Sequence, residues 1–441
     1  MLRAGLAIGL LLGSPAAYAA PTAPVDWTGP WNLVARFAGG GSAAVMTLAR
    51  GEGGAVTGTT GPLDEVGTWP LVVSGREAGG RLVLTLSRGT LPVGTLTLRP
   101  GKDGLAGEGA LYGVAVTVEG ARNPERRAPK THDFAPATFQ TRYSPDAPPV
   151  LHVAPGDTIR TTTLDNEGRD AGLVWRGMPG NTLTGPFYVD GAMPGDTLAI
   201  RFDRVALNRD TAKMASGRLS ARAVQAGYLQ TPRAGWDSTW KLDRERNEGR
   251  PVVGGKLSDF VLPLEPMIGS IGVAPPGAQA LAAGDLGFHG GNLDYSRLTT
   301  GATLYLPVFR AGALLSFGDG HALQGDGEIT GQGLETSLDV TLTVELIKGR
   351  SLGQPWSEDA EFVMVSGVDN TLDEALKMAT SGLARWVKER YGLDDSEIAA
   401  VLGASVAYDI AEVVDPRPHV VARISKKTLA MLPARAAPIV P

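Results

Sequence analysis

The chain has no cysteine among its 441 residues, which excludes thiol nucleophiles, disulfides, and zinc or iron–sulfur sites with Cys ligands. Neither sign of charge is in excess, because 41 Lys+Arg stand against 46 Asp+Glu, a formal net charge of −5. A nucleic-acid-binding domain carries a basic patch, so no nucleic-acid partner is expected. No stretch beyond the N-terminus has the ~20 apolar residues that span a bilayer, so no membrane partner is expected either.

Glycine and proline are abundant, at 59 and 31 residues. Because the glycines follow no G-X-Y period, this composition is not that of collagen and indicates many short strands joined by turns. The length predicts two or three domains, and a hydrophobic content of 43% is sufficient for buried cores. We therefore predict a mainly β protein.

Residues 1–20 have the pattern of a secretory signal peptide. Arg3 precedes the apolar run Gly5–Leu12, and Ala17–Ala19 supplies the small residues of a cleavage site. The alternative, a buried N-terminal helix, is disfavoured by the Gly-Ser-Pro sequence at 13–15. We expect an exported protein, in a periplasm or secreted.

Short β-rich runs separated by Gly-rich turns fill residues 25–121. They predict a small all-β accessory domain, either a barrel or a sandwich. Residues 122–134, with several prolines and basic residues, are predicted to be a linker. Residues 135–435 then form the second domain, in which the polar stretch 209–256 is interpreted as an excursion from the sheet: a lid, an oligomer contact or a solvated insertion.

The second domain is predicted to be β-rich with an α+β C-terminal portion. Apolar residues recur at helical spacing from Leu372 to Val387, after a capping-box pattern that begins at Thr371. A second helix is predicted from about Ser396 to Tyr408, capped by Asp394 or Asp395, and a last strand near 419–425. Two Pro-Gly-Asp turns, at 155–157 and 194–196, each lead into a strand and indicate either a duplicated strand unit or the chance recurrence of a common turn.

Residues that bind metals or transfer protons concentrate in two Gly-rich segments, 289–294 and 316–328. The candidates are His289, Asp294, Asp319, His321, Asp326 and Glu328. Asp319 and His321 are two residues apart, so in a strand both side chains point to one face. A His with carboxylates can hold Zn²⁺ or a similar ion with a position open for water, and Glu328 is a candidate general base. Alternatively, the Asp-Gly pairs are hairpin turns or hold a structural Ca²⁺.

Several motifs resemble the acetamidase/formamidase family. They are Pro186–Leu198 (PFYVDGAMPGDTL), Pro266–Pro275, the GGN-x-D stretch at Gly290–Asp294, the LYLPV strand at Leu304–Val308 and the segment Gly318–Glu328. The resemblance covers roughly residues 135–435. This sequence departs from the family pattern at Asp190, where Glu is usual, and at 140–144, where many members have an H-x-x-W-type stretch. The N-terminal β unit and the signal peptide lie outside the family core.

The resemblance implies a β-sandwich-like domain that hydrolyses short amides such as formamide and acetamide to carboxylate and ammonia. We expect Asp294, Asp319 and His321 to bind a divalent metal, zinc in first place and calcium as the alternative. Glu328 is assigned as the proton carrier, with Asp326 in reserve, and Asn292 and Gln324 are expected to bind or polarise the amide. The rival hypothesis is a non-catalytic exported binding protein whose Asp-Gly loops hold calcium. A homo-oligomer is compatible with either hypothesis.

Overall fold

The computed structural model describes residues 26–38, 40–61, 70–102, 104–214, 217–228, 231 and 234–433. The predicted signal peptide, residues 1–20, lies outside these ranges. In the described ranges, no helix has both the length and the apolar character that crossing a membrane requires.

A closed antiparallel barrel of eight strands forms the N-terminal unit. The strands are β1 (Gly29–Phe37), β2 (Gly40–Arg50), β3 (Ala55–Thr60), β4 (Val72–Ala78), β5 (Arg81–Arg88), β6 (Leu91–Gly101), β7 (Gly104–Leu111) and β8 (Val114–Ala121). Pairing of β1 with β8 closes the sheet, and alternate side chains such as Trp31, Met46 and Leu84 fill the interior. Of the two architectures predicted for this unit, the structure has the barrel.

The other strands, in chain order, are β9 (Thr131–Asp133), β10 (Arg142–Tyr143), β11 (Leu151–Val153), β12 (Thr158–Thr162), β13 (Leu183–Val189), β14 (Thr197–Leu207), β15 (Thr211–Lys213), β16 (Thr239–Asp243), β17 (Glu248–Pro251), β18 (Leu262–Pro263), β19 (Met267–Gly272), β20 (Leu281–Ala282), β21 (Leu286–Gly287), β22 (Gly290–Asn292), β23 (Thr303–Pro307), β24 (Leu315–His321), β25 (Glu335–Thr336), β26 (Leu338–Ile347), β27 (Trp356–Glu358), β28 (Phe362–Val368), β29 (Ala407–Glu412) and β30 (His419–Ser425). Most of them belong to two large sheets.

An eleven-stranded and a nine-stranded sheet make the second domain β-sandwich-like, as expected. One cluster of buried side chains joins them, with Ile268 and Phe317 from the first sheet and Ile200 and Val344 from the second. The predicted excursion at 209–256 contributes β15, β16 and β17 to the eleven-stranded sheet. The end of the predicted linker forms β9, which pairs with β12 at the edge of the nine-stranded sheet.

Three helices complete the α+β portion: α1 (Leu372–Tyr391), α2 (Asp395–Ser405) and α3 (Lys426–Leu429). The α1 cap is the predicted one, because the Thr371 hydroxyl accepts from the Glu374 backbone N–H at 3.2 Å. Asp394 caps α2 in a capping box with Glu397. This helix ends three residues before the predicted Tyr408, since Val406 is already extended and the chain enters β29.

The two Pro-Gly-Asp turns occupy equivalent places in the sandwich. One joins β11 to β12 and the other lies between β13 and β14; β11 is parallel to β13, while β12 and β14 flank β26. In each turn the Asp accepts from a backbone N–H three residues earlier, Ala154 for Asp157 and Met193 for Asp196. Asp157 is fully buried.

Asp157 ties the segment before β9 to the sandwich. It accepts from Arg127 Nη1 at 2.8 Å and from the Lys130 backbone N–H at 2.8 Å, and lies 2.7 Å from His132 Nε2. Burial alone would raise the pKa of Asp157, but the hydrogen bonds with Arg127 and His132 outweigh it and hold this pKa well below its ordinary value. The ionised form therefore stabilises the fold.

Asp157→Ala should lower the free energy of unfolding at pH 7 by about 3 kcal/mol, because it leaves several buried donors without their acceptor. A carboxyl whose pKa is depressed in the folded state stabilises above its unfolded pKa of ~3.9 and loses this contribution as pH falls below it. Denaturant titrations should thus show a smaller difference from wild type at pH 3 than at pH 7. The control is Asp133→Ala, whose pair with Arg160 is exposed; an equal loss there would contradict the assignment.

Candidate active site

Adjacent strands of the eleven-stranded sheet bring the candidate residues to the end of β24. Every residue of β24 is buried, including Asp319 and His321. On one side β19 pairs with β24, and on the other β25 places Glu335 directly opposite His321. On the far side of β19, β22 ends at Asn292, which is paired with Ser270.

Asp294 follows β22, and its backbone N–H donates to the Gly269 carbonyl at 3.1 Å. Gly269 lies in β19 between the two aspartates. A Cβ at this position would lie 2.5 Å from Asp294 Oδ1 and 2.8 Å from the Asp319 carbonyl oxygen. The close approach of Asp294 and Asp319 therefore requires a residue without a side chain at 269.

Gly269→Ala should lower kcat/KM for the amide hydrolysis that the motif resemblance implies by about 100-fold or more, since displacing reacting groups by 1 Å costs this much. Gly325→Ala is the matched control, because a Cβ at this neighbouring loop position meets nothing within 4 Å. Steady-state kinetics of both variants measure the effect. Equal activity of the two would show that the spacing of Asp294 and Asp319 does not matter.

The His321 ring lies between carboxylates on both sides. Its Nε2 is 3.1 Å from Glu335 Oε1 and 3.8 Å from Asp319 Oδ1, and its Nδ1 is 3.8 Å from Asp294 Oδ1. Burial alone lowers the pKa of His321, but the attraction of the nearby Glu335 and Asp319 carboxylates outweighs it, so this pKa is raised well above 6.5.

Gln324 determines which nitrogen of His321 can bind a ligand. Its Nε2 donates to the carbonyl oxygens of Asp294 at 2.6 Å and Ala411 at 3.2 Å. Its Oε1, 2.7 Å from His321 Nδ1, is therefore an acceptor, and Nδ1 carries the hydrogen. In the neutral ring this leaves the lone pair on Nε2, which faces Asp319 and Glu335.

Four buried atoms of the cluster make no hydrogen bond: Asp294 Oδ1, Asp319 Oδ1, His321 Nε2 and Glu335 Oε2. The second oxygen of each aspartate is engaged, Asp294 Oδ2 by Asn292 Nδ2 at 2.5 Å and Asp319 Oδ2 by Asn181 Nδ2 at 2.9 Å. Buried polar atoms are normally paired. Four converging exceptions indicate a place for a bound ion.

Two overlapping groups have ligand atoms within 4.8 Å of one another: Asp294, His321 and Glu328, and Asp319, His321 and Glu335. These acidic and histidine groups could hold a metal ion, and imidazole with carboxylates is a donor set found in zinc sites. Because Gln324 engages Nδ1 and Nε2 faces Asp319 and Glu335, the second group has the available histidine lone pair.

The carboxyl groups here are difficult to ionise together. Burial raises the pKa of Glu335 to about 7 and that of Asp415 to about 6. Burial also raises the pKa of Asp294 and of Glu328 well above their ordinary values, and repulsion from neighbouring carboxylates adds to both shifts. A divalent cation would remove this conflict, because an opposite charge favours the ionised form.

The backbone is strained at three of the predicted residues. Asp294, Asp319 and Glu328 have φ of 42°, 56° and 44°, in the left-handed region that non-glycine residues seldom adopt. Such conformations persist where the surroundings enforce them, and they concentrate at functional sites. Here the strain directs three carboxylates towards one histidine.

Of the predicted site residues, the structure brings together Asn292, Asp294, Asp319, His321, Gln324 and Glu328. Asp326 is separate: it is exposed, and its charged neighbours are Asp409, Arg297 and Arg423. Asp326 is in neither group of possible metal ligands, whereas Glu328 is, and the role of Asp326 as a reserve proton carrier stays a prediction.

Asn292 and Gln324 are in the site, but their amide hydrogens are already used. Asn292 Nδ2 donates to Asp294 and, at 2.6 Å, to Asp415 Oδ2, while Gln324 Nε2 donates to two backbone carbonyls. Neither side chain has a hydrogen left to polarise an amide. In this geometry they position carboxylates and His321, and the direct substrate contact expected from the sequence stays a prediction.

Three residues of the cluster are not predicted from the sequence: Asn181, Glu335 and Asp415. Glu335 can be identified only from strand register, because the pairing of β25 with β24 places it opposite His321. Asn181 has φ of 55° in the loop before β13. Asp415 comes from the turn between β29 and β30, where the sequence Asp-Pro-Arg-Pro resembles an ordinary loop.

Most of the site lies within a segment that matches a known family. Residues 276–426 match the model of the Acetamidase/Formamidase family. A formamidase from Methylophilus methylotrophus is 27% identical over 266 residues, 48% of this chain and 64% of that protein. An acetamidase from Mycolicibacterium smegmatis is 26% identical over 274 residues, 47% of this chain and 66% of that protein. The chain thus spans slightly under two thirds of the length of these curated relatives.

Two solved structures have a fold similar to that of this chain. A predicted acetamidase/formamidase from Thermoanaerobacter tengcongensis has a TM-score of 0.58 at 28% identity, covering 69% of this chain and 99% of that one. Acetamidase from Yersinia enterocolitica has a TM-score of 0.60 at 27% identity, covering 69% and 94%. The second domain is thus a β-sandwich of the type found in these proteins. In sequence over residues 276–426, and in fold over about two thirds of its length, the chain is similar to the acetamidase/formamidase family.

Proposed function

We propose that this protein is an exported, metal-dependent hydrolase that cleaves the C–N bond of small linear amides such as formamide and acetamide. The observation that carries the proposal is the convergence of four unpaired, buried ligand atoms beside Glu328. The relatives named formamidase and acetamidase support the reaction class. The signal-peptide pattern at residues 1–20 supports export.

The residues present fit a divalent metal. Asp319, His321 and Glu335 would hold it through one imidazole nitrogen and carboxylate oxygens, with Asp294 available as a further ligand. We propose zinc, because calcium prefers a shell made entirely of oxygen ligands. When bound, such an ion supplies Lewis acidity, which activates water and polarises a carbonyl.

Glu328 is the proposed proton carrier. Its side chain is 6% exposed, so it is nearly buried yet reachable from solvent, and it lies within the group that includes Asp294 and His321. It accepts a proton from the water whose oxygen attacks the amide carbon, and it returns that proton to the departing nitrogen. The products are the carboxylic acid and ammonia, with no net change at Glu328.

The rival hypothesis, a calcium-binding protein without activity, predicts a different metal content and no ammonia release from purified protein. We expect about one zinc per chain and release of ammonia from at least one short amide in a panel that includes formamide and acetamide. Calcium alone, with no ammonia from any amide, would favour the rival. N-terminal sequencing of protein recovered from the periplasm or medium tests export; a start at Met1 would contradict it.

A further inference from the structure

Asp415 reaches the cluster from a different part of the chain than the other carboxylates. It lies in the turn between β29 and β30, and its Oδ2 accepts from Asn292 Nδ2 at 2.6 Å. The same nitrogen donates to Asp294 Oδ2, so Asn292 bridges the two aspartates. Unlike Asp294, Asp319 and Glu335, which are buried, Asp415 is half-buried and therefore lies towards the solvent side of the site.

The turn that carries Asp415 is fixed from two sides. The fully buried Glu412 accepts from the backbone N–H groups of Val414 at 2.8 Å and Asp415 at 2.9 Å. Two residues beyond Asp415, the Arg417 guanidinium pairs with Asp285. These contacts hold the Asp415 side chain towards Asn292 without occupying its carboxylate.

The available polar atoms of the cluster are acceptors. Asn181 donates its two amide hydrogens to Asn292 Oδ1 and Asp319 Oδ2, and Asn292 and Gln324 donate both of theirs within the protein. The atoms without partners are carboxylate oxygens and one imidazole nitrogen. With these atoms assigned to the proposed metal, the half-buried Asp415 carboxylate is an acceptor beside them, to which the –NH2 group of a primary amide can donate and an ester oxygen cannot.

We propose that Asp415 binds the –NH2 group of the substrate and thereby selects primary amides over esters of the same acyl group. Asp415 belongs to neither of the two candidate metal groups, so its carboxylate is not engaged as a proposed metal ligand. This inference rests on the proposed amide hydrolysis. It assigns the recognition of the amide nitrogen to a residue that the metal chemistry does not use.

The test compares acetamide with methyl acetate in wild type and Asp415→Asn, each with its metal content measured. The variant keeps an oxygen that can accept from Asn292 but presents an amide in place of the carboxylate. We expect the ratio of kcat/KM for amide over ester to fall about 10- to 100-fold, because a charge-assisted hydrogen bond to the substrate is lost. Should this variant be unstable by thermal melting, Asp415→Ser serves in its place.

Arg417→Gln is the control for a displaced turn. It loosens the same turn without changing the carboxylate, so it should lower both rates together and leave their ratio within about threefold of wild type. An unchanged ratio in Asp415→Asn, or an equal shift in Arg417→Gln, overturns the assignment of Asp415. Failure of the proposed function gives a different result, because metal-loaded wild type would then release no ammonia from acetamide or formamide. In that case the assignment of Asp415 would be wrong as well.

Discussion

His321→Ala should abolish amide hydrolysis, with a loss in kcat/KM of about 10³-fold or more, and should remove most of the bound metal. His321 Nε2 is the one nitrogen among the four unpaired atoms, and it lies closest to Glu335. Without it the remaining ligands are oxygens, which bind zinc less well than a set that includes imidazole. Ammonia release and metal analysis on the same preparation measure both effects.

His152→Ala is the matched control, because His152 is exposed and pairs with Asp190 outside the cluster. It should retain wild-type metal content and turnover. Near-normal turnover and metal content in His321→Ala would show that the site is assigned wrongly. If His321→Ala failed to fold, the metal would have a structural role and the calcium-binding alternative would gain support.

The sequence predicted the parts of the site that lie close together along the chain. Spacing of two residues in a strand predicts that Asp319 and His321 share a face, and their side chains approach to 3.8 Å. Asp326 shows the limit of this reasoning. In a loop, proximity in sequence does not determine direction, and Asp326 faces Asp409 and two arginines while Glu328 faces the cluster.

The missed residues required information that local patterns do not contain. Glu335 is a single acidic residue in a two-residue strand, and only the register of β25 against β24 places it opposite His321. Asp415 depends on the position of the β29–β30 turn, which is fixed by the buried Glu412. For the fold, the sequence shows the change from strand to helical periodicity near 372, and it predicts a barrel or a sandwich for 25–121. Closure of the barrel depends on the pairing of β1 with β8, which local patterns do not contain.

Glu328→Gln and Glu335→Gln should separate proton transfer from metal binding, because the two glutamates are buried beside the same histidine. Gln cannot accept the proton from water, so Glu328→Gln should lower kcat by about 10²- to 10⁴-fold while zinc remains bound. Glu335→Gln replaces a carboxylate whose Oε2 is one of the unpaired ligand atoms. It should therefore lose zinc at the concentration that saturates wild type, and added zinc should restore part of its activity.

The same pair of variants tests which of the two overlapping groups holds the ion. Our assignment depends on Gln324, which engages His321 Nδ1 and leaves Nε2 towards Asp319 and Glu335. If the ion were held by Asp294, His321 and Glu328 instead, Glu328→Gln would lose zinc and Glu335→Gln would keep it. That reversed result would move the proton carrier to Glu335, since the glutamate that does not bind the metal is then the one free to accept a proton from water.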